Sequence, residues 1–261
     1  MIQFSFNRFA KLARWSSTND KKYHWKSFLQ TLVILVLVFV FLTTATVTFN
    51  RQDINYYACS LAVIILFAST FILGSSFMFY SMSGKHDMQT LLMLPASNFE
   101  KYLMRYASWI ILLPLYLVAF FAADLVQYVF GLLLGYEEVR LVTSATIEFV
   151  SKVWFKMQIP EHAQQRWIVG VVLHAVWFHS VYALGATFFR SRKYNWVMTS
   201  AVLILTFMLL VIVSGWGSVI ATWWNNHGIY SLLILSLIVL NFWLSYRFFC
   251  RQQVIGKFVN L

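Results

Sequence analysis

Residues 194–246 read YNWVMTSAVLILTFMLLVIVSGWGSVIATWWNNHGIYSLLILSLIVLNFWLSY, without one Asp, Glu, Lys or Arg. A bilayer core of about 30 Å is crossed by about 20 helical residues, so this run holds two membrane spans. Gly215, Gly217 and the Asn225-Asn226-His227-Gly228 cluster mark the turn between them. Four further charge-free windows lie upstream, at 27–50, 54–84, 106–123 and 167–189. The reading is an all-α membrane protein with six transmembrane helices. They are drawn as Phe28–Phe49, Tyr57–Tyr80, Tyr102–Phe130, Trp167–Phe189, Trp196–Val213 and Tyr230–Phe249. Composition agrees: 60% of the 261 residues are hydrophobic and 11% charged, whereas a soluble domain carries about 25% charged residues.

The 20 Lys and Arg residues set the orientation. Arg8, Lys11, Arg14, Lys21, Lys22 and Lys26 precede the first span, and Lys85, Lys101 and Arg105 follow the second. Arg190, Arg192 and Lys193 follow the fourth, and Arg247, Arg251 and Lys257 the sixth. Only Arg51, Arg140, Lys152, Lys156 and Arg166 fall on the other side. The positive-inside rule then puts both termini in the cytoplasm. The net charge of +11 is therefore a topology signal, and its dispersal over span ends argues against nucleic acid as a partner. A cleaved signal peptide is not expected, because a long polar and basic segment precedes a first span too long for a signal h-region. Cys59 and Cys250 fall on opposite faces, so no disulfide between them is expected.

The chain reads as one transmembrane domain, 1–261, with three attached segments. Residues 1–27 form a cytoplasmic N-terminus whose Ile2, Phe6, Phe9 and Ala13 share a helical face, as in an amphipathic helix lying in the interface. Residues 81–101 form a cytoplasmic segment between spans two and three. Residues 131–166 form the longest outer loop, where Ile147, Val150, Val153, Trp154 and Met157 have helical spacing, predicting an interfacial helix that Pro160 ends. Between Ser214 and Gly228, a segment dipping into the outer leaflet and a surface loop both fit.

Motifs for chemistry are sparse. No G-x-x-x-x-G-K-[ST] loop occurs, so ATP and Mg are not expected to bind this chain. Glu137-Glu138 with Arg140 lacks the spacing of a membrane protease pair. No metal site is expected: His174 and His179 are five apart and point to different helix faces, whereas helical ligand pairs sit three or four apart. Asp124, Gln127, His174 and His179 are the intramembrane polar candidates. Asp124 reads as a solvated acid near the outer interface, and His174 as a core histidine.

The informative segment is 81–101, SMSGKHDMQTLLMLPASNFEK. Met88, Leu91 and Leu92 at i, i+3 and i+4 make a short apolar face, and Asp87 suits a helix N-terminus. Pro95 pushes Leu94 towards extended backbone and stops the helix. Ser97 and Glu100 then form a capping box that starts a second helix. An apolar cluster of Met88, Leu91, Leu92 and Met93 on the cytoplasmic side calls for a cover, which a partner subunit or the membrane interface would both supply.

In this segment the chain resembles the permease subunits of type-2 ABC transporters, whose coupling helix has the form T-L-L-x-x-P-x-S-x-x-E-x. Thr90-Leu91-Leu92, Pro95, Ser97 and Glu100-Lys101 match it in order. The resemblance implies six spans, an N-terminal amphipathic helix and a re-entrant outer hairpin at Ser214–Gly228. It implies a multi-pass permease of the bacterial cytoplasmic membrane, working as an exporter, without catalytic residues of its own. Its partners would be a separate cytoplasmic ABC ATPase that binds ATP and Mg, a second permease copy or homologous permease, and membrane lipids. Asp87, Met88, Thr90, Leu91, Leu92, Pro95, Ser97 and Glu100 would carry the ATPase coupling. The long outer loop after span three departs from the family pattern. A non-transporting scaffold with the same shape, and a membrane enzyme using His174, are the alternatives.

Overall fold

In the computed structural model, residues 4–50, 56–82, 85–136, 139–156, 161–189, 191, 193–214 and 227–251 are described. The described residues are helical, with no strand. The helices are α1 (Phe6–Asn19), α2 (Lys21–Asn50), α3 (Tyr56–Gly74), α4 (Lys85–Met93), α5 (Asn98–Ala107), α6 (Leu112–Leu133), α7 (Val142–Lys156), α8 (Glu161–Phe188), α9 (Asn195–Ser214) and α10 (His227–Cys250). A 3₁₀ turn, Ser75–Phe79, continues α3. Five stretches are long and apolar enough to cross a bilayer: Lys21–Ala45, Tyr56–Phe79, Asn98–Leu133, Ile168–Phe188 and Gly228–Cys250. This is what a multi-pass membrane protein requires. In α9 the apolar stretch Asn195–Leu209 is shorter. Residues 215–226, where the re-entrant segment is expected, and Glu137-Glu138 lie outside the described residues.

Two elements differ from the sequence expectation. The third span is not one helix: α5 ends at Ala107 and α6 starts at Leu112. Pro114 explains the break, because it has no N–H to donate to the Ile110 carbonyl and its ring crowds that group. Leu113 N–H bonds Ile110 O instead (3.2 Å), and Ser108 N–H bonds Arg105 O (3.2 Å), both tight i−3 bonds. In α1 the buried residues are Leu12 and Ser16, with Phe9 packed beside them, while Phe6 is exposed. Phe9 of the expected Ile2–Ala13 face thus turns inward beside Leu12, while Phe6 of the same face stays outside.

The chain divides into two units. One comprises Asn19–Thr70 and Ile110–Gln164. Its core is Leu35 and Phe39 of α2, Cys59 and Val63 of α3, Phe120 and Ala123 of α6, and Val142 and Ala145 of α7. Phe39 meets Phe120 edge-on at 6.2 Å, and the hydroxyls of Ser27 and Tyr116 bond at 2.6 Å.

The other unit comprises Met1–Thr18, Phe71–Trp109 and Gln165–Leu261. Its core joins Leu12, Met78, Phe79, Met82, Leu91, Tyr102, Ala183 and Phe249. Small residues let α8 and α9 approach closely, as membrane helix pairs favour. A Cβ at Gly185 would overlap the Thr199 hydroxyl. Gly185→Val is therefore expected to destabilise the fold by on the order of 2 kcal/mol through overpacking. Loss of heat stability in detergent checks this, and Gly170→Ala, with open space around its Cβ, is the control.

Candidate functional site

Local sequence builds the α4–α5 hairpin. Met93 is the last residue of α4, two before Pro95, and Ala96 N–H then bonds Leu94 O (2.8 Å) to close the turn. The expected capping box is present: Glu100 N–H bonds Ser97 Oγ (3.2 Å), and Ser97 N–H bonds Glu100 Oε2 (2.7 Å). Lys101 Nζ reaches back to the Leu92 carbonyl (2.6 Å), near the end of α4, where a cation suits the helix dipole.

Three side chains that sequence reading assigned to capping or to topology brace this hairpin. Glu100 is 0% exposed. Besides Ser97, it accepts from Ser5 N–H (2.7 Å) and from Arg8 through Nε (2.9 Å) and Nη2 (2.7 Å). A forked guanidinium–carboxylate contact of this kind is among the stronger polar interactions. It ties α1 to the start of α5. Arg105, 1% exposed, donates through Nε (3.0 Å) and Nη2 (2.8 Å) to Met78 O, and through Nη2 to Ser81 Oγ (2.6 Å). Its Nη1 donates to Ser16 Oγ of α1 (3.1 Å). One guanidinium thus joins α5, α1 and the 3₁₀ turn. Lys101 is the third.

The predicted coupling residues divide between two faces. Leu91 is 0% exposed and belongs to the core with Met78, Phe79 and Met82, so the expected exposed cluster does not include it. Leu92 is half-buried against the same core. Thr90, Met93 and Pro95 are exposed, Met93 at 83%. Asp87 lies in the first turn of α4, half-buried, and Ser97 is half-buried at its cap position. The Met88 side chain lies outside the described residues.

The four intramembrane candidates have local structural partners or none. Asp124, expected to be solvated, is buried and caps α7: it accepts from Val142 N–H (2.6 Å), Thr143 N–H (2.9 Å) and Thr143 Oγ1 (2.6 Å). Gln127 is buried one turn along, and its Oε1 has no hydrogen-bond partner. His174 donates Nδ1–H to Gly170 O (2.6 Å) and accepts Tyr230 O–H on Nε2 (2.6 Å). His179 donates to Phe71 O (2.6 Å) and accepts from Tyr106 O–H (2.8 Å). Both nitrogens of each ring are thereby used. Among the described residues, no group of His, Cys, Asp and Glu is placed to hold a metal ion.

The brace makes a direct prediction. Glu100→Gln should loosen α1 from the hairpin, because a neutral amide holds the Arg8 fork less tightly. Spin labels at the exposed positions Lys11 and Thr90 should give one narrow distance distribution in the parent chain and a broader one in the variant. Comparison of the chain with family models, characterised proteins and solved structures finds no match.

Proposed function

We propose that this chain is the membrane-spanning permease subunit of an ATP-driven transporter of the ABC type, an exporter powered by a separate cytoplasmic ATPase. The observation that carries the reading is the braced α4–α5 hairpin, which presents Thr90, Met93 and Pro95 outward while Leu91 is rooted in the core. A short helix fixed by Glu100, Lys101 and Arg105 can pass on a push from a partner instead of yielding to it. ATPase closure would tilt the hairpin and shift the spans that it joins, so that a path opens alternately on the two sides. In this reading α9 is the sixth crossing helix, since its 20 residues extend about 30 Å. The termini and the hairpin face the cytoplasm, α1 lies in the interface, and the subunit pairs with a second copy or a homologous permease.

Two measurements test the proposal. Single cysteines at Lys21 and Lys193 should resist an impermeant thiol reagent in intact cells, and one at Glu138 should react. An ATPase subunit should co-purify with the chain in mild detergent. Labelling at Lys193 defeats the topology, and the absence of any associated ATPase from an active, purified transport complex defeats the coupling role.

A further inference from the structure

The outer-loop helix α7 is fixed in place. The Asp124 carboxylate holds its first turn, Thr146 Oγ1 donates to Ser60 Oγ of α3 (3.2 Å), and Lys152 Nζ donates to Tyr57 O–H at the start of α3 (2.7 Å). Val142 and Ala145 are buried by this docking. The opposite side is left bare: Ile147 is 67% exposed, and Val150 is exposed as well. Beside this apolar strip runs a polar one with Ser144, Glu148 and Ser151. The charges of Glu148 and Lys152 are paired with each other.

We propose that the Ile147–Val150 strip of α7 is a lipid-binding surface, seated at the headgroup–acyl boundary of the leaflet in which α3 begins and α6 ends. Three observations select lipid as the occupant. The helix is docked on the first turns of α3, a stretch long and apolar enough to cross the bilayer, which sets it at the level of a span end. The exposed Leu132, Leu133 and Leu134 at the end of α6 are also apolar, as lipid contact at that level requires. An apolar strip alongside a polar strip is the pattern of a helix lying in the membrane plane. Because Glu148 and Lys152 neutralise each other, the strip itself carries no net charge, and zwitterionic lipid is a sufficient ligand. The inference rests on α3 and α6 crossing the membrane and is independent of any ATPase.

The test uses nitroxides placed singly at Ile147, Val150, Ser144 and Ser151 of the full chain. The background carries Cys59→Ala and Cys250→Ser, and the protein is reconstituted in phosphatidylcholine vesicles. Power saturation compares collisions with oxygen, which concentrates in the bilayer, and with a neutral nickel chelate, which stays in water. The oxygen-to-nickel ratio should be severalfold higher at Ile147 and Val150 than at Ser144 and Ser151. Equal, nickel-dominated ratios at all four positions mean a helix in water and overturn the proposal. Low accessibility to both reagents at Ile147 and Val150 means a protein partner and overturns it equally. Neither outcome touches the ATPase-coupled reading, whose own test is co-purification.

Discussion

Arg105→Leu is expected to lower the stability of the fold by on the order of 3 kcal/mol. The variant strips donors from the Met78 carbonyl and the Ser81 and Ser16 hydroxyls, all of which the guanidinium serves. Opposing this loss, an apolar side chain of similar volume escapes the cost of burying a cation, which can make such replacements neutral when every partner is replaced too. Here the partners remain. The Met78 carbonyl lies at the C-terminal end of a 3₁₀ turn, where few N–H groups are left to bond it. Arg105→Lys keeps the charge but loses the planar fork, and should fall between the parent and Arg105→Leu. Thermal unfolding in detergent measures the series. Parent-like stability of Arg105→Leu would show that the guanidinium does not hold these elements together.

Leu91→Asp and Met93→Asp should part company by the widest margin of any neighbouring pair. Removing a buried leucine side chain costs about 2–5 kcal/mol, and a carboxylate in its place adds an unpaired charge among Met78, Phe79 and Met82. Leu91→Asp is therefore expected to abolish folding and membrane accumulation. Met93 touches little, so Met93→Asp should change stability by no more than about 0.5 kcal/mol. If the hairpin docks on an ATPase, an anchor at Met93 is worth about 2 kcal/mol, which is about a thirtyfold loss of association. Accumulation by immunoblot and ATPase co-purification separate the two effects. A well-folded Leu91→Asp chain contradicts its place in the core, and undiminished ATPase binding by Met93→Asp contradicts the docking face.

The local features of the hairpin were legible from sequence because their causes are local. Pro95 stops a helix whatever surrounds it, and Ser97 and Glu100 are close enough in sequence to cap one. The break at 108–111 was equally accessible through Pro114, but a hydropathy window averages over it. From sequence Arg105 reads as a topology charge, since nothing near it in sequence announces Met78, Ser81 and Ser16 as partners. Asp124 reads as a solvated acid for the same reason: the helix that it caps starts eighteen positions away.

Long apolar runs already mark the chain as helical and rich in candidate spans, because lipid demands that every backbone group be bonded internally. The 3.6-residue period likewise fixes which residues share a helical face. What each face meets depends on contacts between distant segments. Leu91 turns into protein and Met93 away from it, α1 packs through Leu12 and Ser16, and Glu100 serves a second helix beyond its own cap. Apolar surface is satisfied alike by lipid and by a protein core, so periodicity cannot distinguish them. Long-range bonds such as Arg105 to Met78 exist only once the chain has brought its distant segments together.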